Sequence, residues 1–352
     1  MKLNLNHPII KRIRKPESDF YEYLRLNRAE FGHSFNSKKS SFDFNKYYPN
    51  VSKIINALKK YTKLSEKNLL IGLGAESIIK DTLFIFSKKK KRIGFLTPNY
   101  FMYSIYSRLF GYKIFNLNIN PEFSKKLSIE NLKKFIKKKN IDIFILVNPS
   151  HPFEKNWKLD EIELLLKYCK KKKITLIIDE VYQGLGSQSS KKFINKYDNL
   201  IIISSLSKNI GLPALRVGYL MASEKIVEYM DSFRLAIELP HHSIKVSCDY
   251  LKNKKKITSI KKNIIKARKY AHSEFKKRKI PAFGKFGNSV TFKIKDATAA
   301  KSIGESLKKN KILINYNYQK PYDNFLNLTT TNVNNIKIFF SKLDQVYKRS
   351  SK

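Results

Sequence analysis

Short unbroken apolar runs alternate along the chain with longer stretches in which apolar residues recur every three or four positions. Runs of the first kind lie at 68–71, 92–96, 141–147, 174–178, 200–203 and 217–221, and a further strand, with polar residues in it, is expected at 113–118. The length of the runs and their lack of polar alternation predict strands buried on both faces. Before the first of them, the segment 51–61 sets Val51, Ile54, Ile55 and Leu58 on one helical face, and between the first two, 78–86 is an apolar helix. Strands separated by helices of about 10–15 residues predict an α/β fold with a mostly parallel sheet and helices on both faces. A helix over 224–237 leads away from it, and beyond residue 245 basic helices alternate with short strands at 289–294 and 311–315. The expected division is an arm at 1–47, a large domain at 48–237, and a small α+β domain at 238–352 that also takes in the arm.

In such a sheet a ligand sits beyond the carboxyl ends of the strands. Gly72–Glu76, Tyr100, His151, Asp179, Tyr182 and Lys208 all follow strand ends. At the mouth of strand 200–203, Ser204, Ser205 and Ser207 lead to Lys208, and Arg216 follows past a turn marked by Gly211 and Pro213. An amine this close to hydroxyls and a guanidinium suits an aldehyde that also carries a phosphate. Lys208 would condense with the aldehyde, while Ser205, Ser207 and Arg216 hold the phosphate. Asp179 can pair with a protonated ring nitrogen, and the Tyr182 phenol can bond a ring hydroxyl. Gly72 and Gly74, between a strand and a helix, let backbone N–H groups turn toward an anion at the helix start.

Composition narrows the classes. With 42% hydrophobic residues the chain can build real cores, which excludes wholesale disorder. No apolar run approaches the roughly 20 residues of a membrane span, and the first 20 residues lack a signal-peptide pattern. Cys169 and Cys248 are far apart without a C-x-x-C partner, which predicts reduced thiols and a cytoplasmic protein. No metal site is expected. Basic residues number 71 against 28 acidic, a net charge of +43. The lysine runs at 88–92, 137–139, 170–173 and 254–256 lack interleaved aromatics or a nucleic-acid-binding motif. They predict solvated helix faces with no nucleic-acid partner, and a field that draws in anionic, phosphorylated substrates.

Asp179, Tyr182, Lys208 and Arg216, in that order, resemble the signature of fold-type I pyridoxal-phosphate enzymes, in particular class I and II aminotransferases of the histidinol-phosphate aminotransferase kind. The resemblance implies pyridoxal 5′-phosphate (PLP) as cofactor, a large domain with a mostly parallel seven-stranded sheet, and a small α+β domain. It implies that Lys208 holds the cofactor as a Schiff base and then moves a proton as general base and acid. Asp179 would keep the pyridine nitrogen protonated, Tyr182 and His151 would bond the ring hydroxyl, and Tyr100 would stack on the ring. Gly74, Ala75 and Glu76, from a loop resembling G-x-G-S-D-E, would lie beside the phosphate with Ser205, Ser207 and Arg216. Tyr48, in Tyr47-Tyr48-Pro49, matches a tyrosine that reaches the phosphate of the neighbouring subunit, which implies a homodimer with shared active sites. Residues 23–32 resemble an L-x-x-N-E segment in which Glu30 is retained, and Arg28 lies where it can meet a substrate anion.

Two departures stand out. The family's N-P-N-N-P-T-G reads Asn148-Pro149-Ser150-His151-Pro152-Phe153-Glu154, so a histidine takes the fourth place. The arginine that grips an α-carboxylate falls on Asn327, and no arginine occurs between Arg278 and Arg349. Three readings of this stay open: a substrate with no α-carboxylate or with a phosphate or phosphonate there, a charge supplied by Arg28 or Lys320, or a shifted register. The expectation is an aminotransferase acting on a small phosphorylated or phosphonylated compound. A decarboxylase of a phosphorylated amino acid, resembling threonine-phosphate decarboxylase, shares every cofactor residue and is the alternative. A PLP-sensing transcription regulator would need a DNA-binding module, for which the stretch before residue 48 has no room.

Overall fold

The computed structural model describes residues 23–26, 48–87, 92–120, 126–153 and 155–350. Arg28, Glu30, Glu154 and Lys88–Lys91 lie outside these, as does the arm apart from 23–26. In chain order the strands are β1 (Leu24–Arg25), β2 (Leu69–Leu73), β3 (Arg92–Thr97), β4 (Lys113–Asn118), β5 (Ile143–Val147), β6 (Thr175–Asp179), β7 (Leu200–Ser205) and β8 (Val217–Ala222). They continue as β9 (Ala282–Phe283), β10 (Ser289–Lys293), β11 (Ile312–Leu313) and β12 (Phe325–Thr329). The helices are α1 (Ser52–Thr62), α2 (Gly74–Ser87), α3 (Met102–Leu109), α4 (Ile129–Lys138), α5 (Leu159–Lys171) and α6 (Leu206–Asn209). After them come α7 (Glu224–Asp231), α8 (His241–Lys252), α9 (Lys254–Lys277), α10 (Ala297–Lys309) and α11 (Val333–Ser350).

All six apolar runs and the strand at 113–118 enter one sheet of order β2-β8-β7-β6-β5-β3-β4. Strands β3 to β7 are parallel, and β8 runs antiparallel to both β7 and β2. The inner runs are continuous because both faces are covered, whereas β4, at the edge, exposes Lys113, Asn116 and Asn118. Leu176, Ile178, Leu200 and Ile202 join a core under α1, α4 and α5, whereas Ile177, Ile201 and Ile203 join a second core under α2 and α3. Period-2 alternation is present, but both sets are apolar.

One predicted helix is shorter than expected. The segment expected to be helical to 237 ends at Asp231, where Ser232 Oγ donates to the Tyr229 carbonyl at 2.7 Å. Arg234 is diverted to the Ile71 carbonyl, and Pro240 then sets the start of α8.

The remaining strands form a β12-β10-β9 antiparallel sheet and a β1–β11 pair. Phe275, Phe292, Leu326 and Phe339 fill a third core with α9, α10 and α11. Leu26 joins that core, and its carbonyl accepts the Thr329 N–H at 2.8 Å. The expected strand at 311–315 shrinks to Ile312–Leu313, with Asn315 bridging separately to Asn327. Among the described residues, no helix is long and apolar enough to cross a membrane.

Candidate active site

Register brings the carboxyl ends of β5, β6 and β7 side by side, with Val147 opposite Asp179 and Asp179 opposite Ile203. Asp179 is the last residue of β6 and is buried. Val181 N–H donates to its Oδ1 at 2.9 Å, and the Tyr103 hydroxyl donates to its Oδ2. Burial raises the Asp179 pKa, and these two donors pull it back.

The turn after β2 is built for close approach. Gly74 sits at φ +78°, in the left-handed region that favours glycine. A Cβ there would lie 2.5 Å from Arg216 Nη2, so the guanidinium rests directly on Gly74. Gly218 in β8 pairs with Gly72 on one side and Ser205 on the other. Its own Cβ would fall 2.2 Å from the Gly74 carbonyl carbon and 2.4 Å from Ala75 N. Two glycines thus let the β2–α2 turn, Arg216 and Ser205 share one small volume. Ser205 Oγ accepts the Ser207 N–H at 3.3 Å, and both serines are buried. Arg216 itself adopts φ 53° after the turn Pro213–Leu215, a strained setting for a non-glycine residue.

Lys208 follows in α6, half-buried, its carbonyl accepting Asn288 Nδ2 at 3.2 Å. His151 stacks on Tyr182, with ring centroids 5.1 Å apart and planes at 24°. Its Nδ1 is 3.3 Å from Ser289 Oγ. Burial, with the charge of Lys208 added, pushes the His151 pKa down to about 4, so the ring is neutral near pH 7. Asn148 anchors this loop, accepting Trp157 N–H at 2.9 Å and donating to the Trp157 carbonyl at 3.2 Å.

Glu76 lies beside Gly74 and Ala75 in the first turn of α2. Its carboxylate accepts the Tyr100 hydroxyl at 3.0 Å and the Tyr106 hydroxyl at 2.9 Å. These two bonds steady the Tyr100 ring. Asn327 is buried, and its amide nitrogen donates to Ser289 Oγ at 3.2 Å and Thr291 Oγ1 at 2.8 Å. It therefore belongs to a neutral polar ladder that reaches His151 through Ser289. Tyr48 is 87% exposed and takes no part in the cluster within one protomer.

Four contributors were not singled out in the sequence: Tyr103, Gly218, Asn148 and Arg268. Arg268, buried in α9, donates to the carbonyls of Leu185 (2.9 Å) and Gly287, tying the loop after Tyr182 to the loop carrying Asn288 and Ser289. Only Tyr103 left a periodic trace, through Tyr100, Tyr103 and Tyr106 on one helical face. Among the described residues, no group of three or more His, Cys, Asp or Glu is arranged to hold a metal ion.

A buried carboxylate, a flanking aromatic, a lysine amine, and a guanidinium with hydroxyls over a glycine turn match the donor set a phosphorylated pyridine aldehyde requires. The model of the family described as aminotransferase class I and II matches residues 27–343. A histidinol-phosphate aminotransferase of Clostridium beijerinckii is 28% identical over 307 residues, covering 86% of this chain and 83% of that protein. Among solved structures, a putative histidinol-phosphate aminotransferase from Erwinia carotovora atroseptica superposes with a TM-score of 0.84 at 18% identity, covering 93% of this chain and 97% of that one. The histidinol-phosphate aminotransferase from Sinorhizobium meliloti, in complex with pyridoxal-5′-phosphate, gives 0.79 at 15% identity, covering 92% and 91%. Both share this fold.

Proposed function

The chain belongs to the aminotransferase class I and II family, whose cofactor is pyridoxal 5′-phosphate, and from that premise we propose that it moves an amino group to or from a small phosphorylated or phosphonylated compound. When bound, the cofactor supplies an aldehyde that joins an amine and a ring that draws electron density from the reacting carbon. Lys208 Nζ is the amine of this reading; it would carry the proton lost from the substrate Cα to the carbon that bore the aldehyde, the shift that exchanges amine for oxo group. Asp179 receives the ring N–H on a carboxylate already held by Val181 and Tyr103. The Tyr182 hydroxyl and neutral His151 would hold the ring hydroxyl oxygen. Arg216, Ser205, Ser207 and the Gly74–Ala75 backbone hold the phosphate, while Tyr100 covers the ring face, steadied by Glu76.

The observation that carries this reading is the meeting of Asp179, Lys208 and the Arg216–Gly74 cradle at neighbouring strand ends. Support for a phosphorylated substrate comes from the names of relatives such as the Clostridium beijerinckii enzyme, and from the positive charge. Histidinol phosphate is an amino alcohol ester without an α-carboxylate, so Asn327 need not pair with one there, while the carboxylate of a 2-oxo acid partner would be met by Arg28 or Lys320. The reading carries a homodimer in the cytoplasm in which the exposed Tyr48 reaches the partner's cofactor phosphate. It divides the chain into a large domain at 48–237 and a small one at 238–352 with the arm. Arg28 and Glu30 keep their proposed contact with substrate.

The test is a coupled assay of the purified protein with histidinol phosphate and a panel of 2-oxo acids, and in parallel with O-phosphorylated amino acids, with gas release followed in both. The expected result is a new amino acid and a matching oxo product. Carbon dioxide release without an oxo product would replace the transaminase reading with a decarboxylase.

A further inference from the structure

The three phenols Tyr100, Tyr103 and Tyr106 recur every third residue just before and within α3 and hold two carboxylates. Tyr100 and Tyr106 donate to the two oxygens of Glu76, and Tyr103, between them, donates to Asp179 Oδ2. Tyr103 is completely buried. Its ring meets Tyr100 edge-on at 6.1 Å and Phe95 at 6.3 Å, and its N–H bonds the Tyr100 carbonyl at 3.1 Å. One helical turn thus reaches both the residue proposed to cover the cofactor ring and the residue proposed to meet its nitrogen.

We propose that Tyr103 is a positioning residue that fixes Asp179 against the ring nitrogen and keeps its carboxylate in the charged form. The inference rests on the reading above that Asp179 meets that nitrogen. Physically, a carboxylate taken out of water loses its hydration shell, and each donor aimed at it restores part of that loss. Val181 N–H serves Oδ1, and the Tyr103 hydroxyl serves Oδ2. A backbone donor cannot be removed by substitution, but a phenol can. Replacing Tyr103 by Phe leaves the ring packing in place and removes only the donor.

The other titratable groups in this neighbourhood come from several elements. Glu180, next in the chain, is turned toward Ser189 Oγ and the Ser190 N–H. Tyr100 lies just before α3, and Tyr182 on the loop after β6. Lys208 and His151 come from the ends of β7 and β5. All of them stay as they are in Tyr103→Phe, so a change in titration reports on Asp179.

The experiment follows the absorbance of the bound cofactor against pH without substrate, in wild type, Tyr103→Phe, Asp179→Asn and the double variant. Loss of one hydrogen bond to a charged group corresponds to about one to two pH units. The ring-linked transition of Tyr103→Phe should move by that amount, with cofactor affinity down on the order of tenfold in apoprotein titrations. In the Asp179→Asn background the same change should move neither. Site-specific 3-fluorotyrosine at position 103, a stronger donor of nearly the same size, should move the transition the opposite way, and it serves if the Phe variant does not fold. A transition unmoved by both replacements, or moved equally with Asp179→Asn present, overturns the inference. Such a result with Asp179→Asn still perturbing the spectrum leaves the cofactor reading standing. A protein that binds no PLP at all removes both.

Discussion

Gly218→Ala is a sharp perturbation because the added methyl meets only backbone. Its Cβ would lie 2.2 Å from Gly74 C, 2.4 Å from Ala75 N and 2.5 Å from Gly74 O, where ordinary contact begins at 3.4 Å. No rotamer change can relieve an overlap of about 1 Å with main chain. Either β8 or the β2–α2 turn must shift. Strand β8 is held in register from Leu69↔Met221 to Leu73↔Val217 on one side and from Ile201↔Ala222 to Ser205↔Gly218 on the other, so the turn should give way. The Arg216 guanidinium, resting on Gly74, would move with it. Overpacking of this kind costs about 1–3 kcal/mol. If that cost falls on the bound form, cofactor affinity drops about 5- to 150-fold. Titrating apoprotein with PLP by absorbance, beside urea denaturation of the same apoprotein, separates lost binding from lost stability. Gly111→Ala is the control: nothing lies within 4 Å of its Cβ, although φ is +74°. It should lower stability by about 1 kcal/mol and leave affinity alone. Wild-type affinity in folded Gly218→Ala would refute the claim that this glycine shapes the phosphate cradle.

Further outcomes follow from the buried charges. Burial pushes the Glu180 carboxyl up to about 7. Because its folded pKa exceeds the unfolded value, its contribution to apoprotein stability is present below about pH 4.5 and is lost as pH rises through about 7. The wild-type minus Glu180→Gln stability difference should therefore fall by about 3 kcal/mol over that window, on top of a constant offset from the altered hydrogen bonds to Ser189 and Ser190. A flat difference in urea-melt stabilities would contradict this. Arg268→Met leaves the buried carbonyls of Leu185 and Gly287 without their guanidinium donor. It should cost about 2–4 kcal/mol in denaturant melts and raise KM more than it lowers kcat. An unchanged melt would mean that these loops do not depend on it.

Much of the sheet was legible because two-sided burial makes each inner strand an unbroken apolar word, as in Leu200–Ile203 and Leu176–Ile178. The chemistry at its rim was legible for the same reason: the residues that matter sit directly after those words. What sequence spacing missed depends on contacts between distant residues. Gly218 has its role only because β8 runs antiparallel beside β2, and Arg268 only because α9 lies across two loops. The partners of Glu76 could not be read from its loop, since Tyr100, just before α3, and Tyr106, within it, lie 24 and 30 residues away. The helix expected to reach 237 ends early because Arg234 finds the Ile71 carbonyl, more than 160 positions back.

The most direct test of the account is chemical trapping of the amine. Borohydride reduction of the cofactor-loaded enzyme, followed by proteolysis and mass spectrometry, should place the reduced pyridoxyl phosphate on the peptide that contains Lys208. Lys208→Ala, treated identically, should carry none and turn over no substrate. Label on another lysine, or on no lysine in a protein that otherwise transaminates, would contradict the account.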